Sequence, residues 1–276
     1  MIKDIVVNLN VTKGGGPAGD YAVSLASALD AHLTGVAFVY DPIVPVSATG
    51  YIPAEIIERQ QADNEAFAKS ALERFGAATK REGLSAEPLT ISTSLAGAGE
   101  HFSRIARRFD LGVLGQAEPD TSSIDDIIAE TTLFESGRPM IIVPYIQKGP
   151  LKLDRAMVCW DGSRPAARAI GDAMPLLAKA GKVEIVSIAD EPGKQDKIEG
   201  VDMGQHLARH GLKVEVERIP RGDVDVADAL LSYAADSGAD IMVMGGYGHS
   251  RLRQFLLGGV TRSTLRSMTV PVLMAH

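Results

Sequence analysis

Asp240 to Leu265 reads DIMVMGGYGHSRLRQFLLGGVTRSTL. An acidic residue precedes a short apolar strand, Ile241 to Met244, which runs directly into glycines at 245, 246 and 248. A second pair, Gly258-Gly259, follows, and Val260 to Arg266 then reads as a helix start. Glycines at a strand-to-helix junction let backbone N–H groups approach an anion closely. The unpaired first N–H groups of a helix and its dipole favour a phosphate at the same place. The stretch therefore reads as a phosphate site at the end of a strand in an α/β sheet.

Working outward, the whole chain repeats this plan. Ile5-Val-Val-Asn-Leu-Asn10 opens the first half, and Ala156-Met-Val-Cys-Trp-Asp161 opens the second. Asp110-Leu-Gly-Val-Leu-Gly115 parallels Asp240-Ile-Met-Val-Met-Gly245. Each half closes on a Pro-led apolar strand, Arg138-Pro-Met-Ile-Ile-Val143 and Val270-Pro-Val-Leu-Met274. Three landmarks in the same order make coincidence a poor explanation. The expected division is two similar domains, residues 1–148 and 149–276, meeting near Gly149-Pro150.

In both halves strands alternate with helical patterns. The first half reads as strands at 5–9, 33–40, 88–92, 111–115 and 140–143, with helices near 18–31, 54–82, 100–109 and 124–136. The second reads as strands at 156–160, 182–189, 213–219, 241–244 and 272–274, with helices near 165–179, 200–210, 226–237 and from 260. Apolar strands spaced by helices predict a parallel, doubly wound sheet covered on both faces. Such sheets bind ligands beyond the carboxyl ends of their strands.

The chain has 276 residues, a net charge of −7 and 45% hydrophobic residues, so it can bury ample core. Its acidic balance argues against non-specific nucleic-acid binding. The single cysteine, Cys159, excludes an internal disulfide and fits a reducing compartment. It lies in a strand-like run, where packing suits it better than reactivity. No apolar run reaches membrane-span length, and MIKDIVVNLN lacks a signal-peptide region. The expectation is a cytoplasmic protein without membrane contact.

These residues resemble the universal stress protein family. Its nucleotide-binding members carry G-x2-G-x9-G-[ST] after the fourth strand, and Gly245-x2-Gly248-x9-Gly258 matches. Gly259 stands where the family has Ser or Thr, which removes a hydroxyl but keeps the backbone N–H; Thr261 offers a hydroxyl two residues on. Asp161-Gly162-Ser163 is similar to the family's segment after the first strand, and Val270-Pro-Val-Leu273 to its closing strand. The resemblance implies a tandem universal stress protein of the adenine-nucleotide α-hydrolase-like fold, binding ATP or AMP, with magnesium as a companion ion, in a stress-response setting.

The roles implied by the resemblance are these. Asp161 contacts ribose or adenine; read alone, it caps the following helix. Ile188 offers its backbone to adenine; read alone, it is core. Gly245, Gly248, Gly258, Gly259, Val260 and Thr261 cradle phosphate, against a tight turn without ligand. Met244, Cys159 and Ser163 border the pocket. His249 and Arg251 neutralise phosphate, against a solvated basic face that also suits Arg253. Arg262 opposes the helix dipole, so a phosphate or an acid should lie close.

The first half departs from the pattern. Gly115-Gln-Ala-Glu118 replaces Gly245-Gly-Tyr-Gly248, and Asn10 stands at the place of Asp161. Glu118, with Asp120, Asp125 and Asp126, sets carboxylates where phosphates would lie. The first half is therefore expected not to bind ATP in the family manner.

Other motifs carry less. Gly14-Gly15-Gly16 lacks the G-K-[ST] ending of a P-loop. His206 and His210 are spaced i, i+4 without the HExxH glutamate. Asp223, Asp225 and Asp228 suit a helix N-terminus better than a calcium loop. With no P-loop lysine and no base for water, a weak metal-dependent ATPase is the enzymatic alternative and a non-nucleotide interaction scaffold the other. The closing strands are the expected pairing edges, making an intramolecular pseudo-dimer, with a homodimer as a further assembly.

Overall fold

A computed structural model describes residues 1–9, 16–42, 53–118, 124–189, 202–220, 222–246 and 259–276. The first half runs β1 (Asp4–Asn8), α1 (Pro17–Leu29), β2 (His32–Tyr40), α2 (Ala54–Arg81), β3 (Ala86–Thr93), α3 (Ala98–Ala106), β4 (Leu111–Gly115), α4 (Ile124–Glu135) and β5 (Met140–Val143). The second runs β6 (Arg155–Cys159), α5 (Arg164–Leu177), β7 (Lys182–Ile188), α6 (Met203–Arg209), β8 (Val214–Ile219), α7 (Val226–Ser237), β9 (Ile241–Gly245), α8 (Val260–Ser267) and β10 (Val272–Ala275). A 3-10 turn, Leu95–Gly97, leads into α3.

One ten-stranded sheet carries both halves, in the order β3-β2-β1-β4-β5-β10-β9-β6-β7-β8. Each half is internally parallel. They join where β5 pairs antiparallel with β10, Ile141 opposite Leu273. The Pro-led strands are therefore the pairing edges that the sequence pointed to. Four-residue strands with all side chains buried, MIIV and VLMA, can lie at the centre of a sheet because helices cover both faces there.

Alternate side chains divide the core. Ile5, Val7, Val158 and Val243 face α1 and α5, while Val6, Met157, Cys159 and Met244 face the layer of α3, α4, α7 and α8. The expectation of full coverage fails at the two ends. β3 and β8 are the outer strands, and AEPLTIST and VEVERI are largely exposed. Glu and Pro on such edges discourage further strand pairing. Helix ends also moved: α3 begins at Ala98 and stops at Ala106, short of Phe109, and α6 spans only Met203–Arg209.

Hydrogen bonds tie the halves beyond the strand pair. Leu151 N donates to Ser24 Oγ at 2.8 Å, and Arg168 Nη2 donates to Gly137 O at 2.9 Å.

Candidate functional site

In the second half β6 lies between β7 and β9, and the chain leaves β6 through α5 to reach β7. Strand order reverses between β6 and β9, so their carboxyl ends open a crevice. Cys159, Asp161 and Ser163 follow one strand, and Met244 and Gly245 end the other, with Val158 paired to Val243 just below. Cys159, Met244, Ile188 and Val260 belong to one apolar cluster, although they lie on β6, β9, β7 and α8. Four of the sequence-selected residues thus lie on one face of the sheet.

The start of α5 lies on the other face. Ser163 is its N-cap, with Oγ accepting from Ala166 N at 3.2 Å. Asp161 Oδ1 accepts from Ser163 N at 2.9 Å. The cap is therefore Ser163, and the exposed Asp161 holds the turn that presents it. Gly245 lies directly beneath: a Cβ there would stand 2.5 Å from Ala166 N and 2.7 Å from Pro165 C. Glycine is what allows strand and helix N-terminus to approach so closely. Pro165 and Ala166 were not selected from the sequence. The signal available was Pro in the first turn of a helix, which marks the helix start but not what lies against it.

α8 packs through Val260 and Leu265 on the same face as Cys159 and Met244. Gly259 is its N-cap, with no side-chain hydrogen bond to the first turn. Val260 is half-buried and Thr261 is buried. Arg262 meets an acid, Glu130 Oε2 of α4, at 3.6 Å. That ion pair accounts for a cation in the first turn. Gly248, His249, Arg251, Arg253 and Gly258 lie outside the described residues, as do Gly14, Gly15, Asn10 and Asp120.

Cys159 does not have the environment of a reactive thiol. Burial pushes its thiol up to about 12, and the Asp161 carboxylate adds to the effect. Its role is to fill the apolar wall.

The equivalent end of the first half has a different character. Gly115 meets nothing closer than Ala18 Cβ at 3.8 Å, and Gly16, the N-cap of α1, makes no side-chain cap. Asp125 is pushed up to about 6, first by burial and then by Asp126 and Glu118. Burial likewise raises the Tyr40 hydroxyl, with Asp125 contributing. A region that resists one carboxylate charge resists a polyphosphate more strongly.

Gln116, the residue opposite Gly246 in the repeat, makes contacts that the sequence reading missed. Its Nε2 donates to Leu265 O at 2.9 Å and Arg266 O at 3.1 Å, on α8 of the other half. His206 and His210 stack edge to face with centroids 4.9 Å apart. Asp225 is the N-cap of α7, with Asp228 in its first turn. Among the described residues no helix is long and apolar enough to cross a membrane.

The family model "Universal stress protein family" matches residues 152–276. A universal stress protein of Synechocystis is 37% identical over 67 residues, which is 24% of this chain and 22% of that protein. The chain thus spans about a fifth of that relative's length. A crystal structure of a universal stress protein from Archaeoglobus fulgidus shares the fold across 99% of this chain and 95% of its own, with TM-score 0.69 and 17% identity. A functionally unknown protein from Pseudomonas aeruginosa PAO1 does so across 99% and 92%, with TM-score 0.63 and 14% identity.

Proposed function

We propose that the chain is a member of the universal stress protein family, whose model matches residues 152–276, and that its second half binds an adenine nucleotide, ATP or AMP. The observation that carries this reading is the seating of Gly245 against Pro165 and Ala166, which brings the end of β9 under the N-terminus of α5. The start of α5 lies against the end of β9 and α8 begins on the other face of the sheet; helix dipoles of this sign favour phosphate. Cys159, Met244, Ile188 and Val260 supply an apolar wall suited to a base. Asp161, exposed at the rim, supplies an acceptor suited to ribose hydroxyls. The chain is two universal stress protein domains, 1–148 and 149–276, of which the first holds no nucleotide. It acts in the cytoplasm as a nucleotide-dependent switch rather than as an efficient enzyme. Binding shifts the balance at an interface.

The single tryptophan, Trp160, adjoins Asp161 and gives a direct readout. Titration with ATP and magnesium is expected to change its emission saturably, and Asp161→Ala to weaken the response about tenfold. An unchanged spectrum together with unchanged thermal stability would overturn the reading. A second reading is a scaffold without nucleotide, favoured by the bare Gly259 N-cap of α8. It predicts that ATP neither shifts emission nor protects the fold.

A further inference from the structure

The helix that closes the candidate site is not held by its own half alone. α8 has eight residues, so it is about 12 Å long. Two turns are not stable in isolation, and their position depends on what docks them. The last carbonyls of such a helix lack internal partners. Here they accept from Gln116 Nε2, at 2.9 Å for Leu265 and 3.1 Å for Arg266. Gln116 is itself buried, and its Oε1 accepts from Tyr145 N at 3.2 Å. The carboxamide is therefore fixed at both ends, with N and O assigned by their partners. At the other end of α8, Arg262 pairs with Glu130 at 3.6 Å. The first half grips both turns.

The second half holds the corresponding helix by other contacts: Phe134 of α4 meets the His276 ring edge to face with centroids 4.9 Å apart, and Arg168 donates to Gly137 O just beyond its end. The corresponding helix α4 is capped inside its own half: Arg107 Nε and Nη2 donate to Glu135 O at 3.1 and 2.9 Å. Gly246 makes the same backbone bond as Gln116, Gly246 N to Ala275 O and Gln116 N to Val143 O, both 2.8 Å. It has no side chain to reach across, and Leu133 of α4 fills the place where its Cβ would stand. The carboxamide contact made by Gln116 thus has no counterpart at Gly246.

We propose that Gln116 is a positioning residue for the nucleotide site, so that the first half, itself unsuited to nucleotide, completes the site of the second. By anchoring the C-terminus of α8, it sets the direction in which the N–H groups at Gly259–Thr261 point. The inference rests on the nucleotide reading above. Its test is calorimetric titration with ATP and magnesium on the full chain carrying Gln116→Ala, Gln116→Glu or Ser24→Ala. Ser24→Ala removes a bond between the halves that lies away from α8. Gln116→Ala is expected to weaken binding at least fivefold. Gln116→Glu, which keeps the volume but sets a carboxylate against a helix C-terminus, is expected to weaken it further. Ser24→Ala is expected to leave affinity unchanged. A purely structural role would lower the melting temperature in each case and spare the affinity of the folded protein. Hydrogen exchange of the α8 amides without nucleotide supplies a second readout, expected to speed up severalfold in both Gln116 variants and not in Ser24→Ala. Wild-type affinity and exchange in both Gln116 variants would overturn the inference and leave the nucleotide reading standing. Failure of the intact protein to bind would overturn both.

Discussion

A methyl group on Gly245 would stand 2.5 Å from the backbone nitrogen of Ala166, so the end of β9 meets the N-terminus of α5 with no room for a side chain. The obstructing atoms are main chain and cannot rotate away. Gly245→Ala is expected to destabilise the fold by about 2 kcal/mol, the usual scale of overpacking. The matching change in the first half, Gly115→Ala, meets only Ala18 Cβ at 3.8 Å and should be tolerated within about 0.5 kcal/mol. Urea denaturation of the two variants checks the contrast, and equal midpoints would refute the close seating.

Glu184 is an acid inside an apolar strand, KVEIVSI, and is 2% exposed. Its Oε1 accepts from Arg155 Nη1 at 2.9 Å and Lys182 Nζ at 2.7 Å. Lys182 also bridges to Glu215 at 2.6 Å, and these carboxylates hold its ammonium above the usual lysine range. Glu184→Ala leaves the part-buried Arg155 without its counter-charge and is expected to cost about 3 kcal/mol. A loss below 1 kcal/mol in denaturant unfolding would mean that the pair contributes little.

Asp125 supplies a pH dependence. Its carboxyl, at about 6 in the fold, sits above the ordinary value near 3.9 of an unfolded chain. The folded state therefore holds the proton more tightly. This contribution is full below about pH 4 and is lost as pH rises through about 6. Asp125→Asn cannot ionise, so it is expected to match the wild type at pH 4 and exceed it by about 2 kcal/mol at pH 7.5. A gap independent of pH would contradict the burial argument.

Much of this was legible in the sequence, because local signals carry it. Alternating strands and helices, the repeated landmarks and the Pro-led closing strands all survive in the ten-stranded sheet. Val226 to Ser237 reads as a helix from its pattern and is one. What escaped depends on distance along the chain. Gln116 reads as a lost glycine, and its partners lie 149 and 150 residues away. Arg262 against the helix dipole asked for an anion, but only the fold names Glu130. Asp161 and Ser163 divide the capping role in a way that D-G-S alone cannot assign. Strands β3 and β8 read as covered because no pattern marks which strands end a sheet.

The central claim is that nucleotide binds once per chain, in the second half. Calorimetric titration with ATP and magnesium, on the intact protein and on Gly248→Glu, tests it most directly. Gly248→Glu copies into the glycine loop the acid that stands at Glu118. The account predicts about one site per chain in the intact protein and no measurable heat of binding in the variant. Two sites per chain, or an intact protein that binds no ATP, would contradict it.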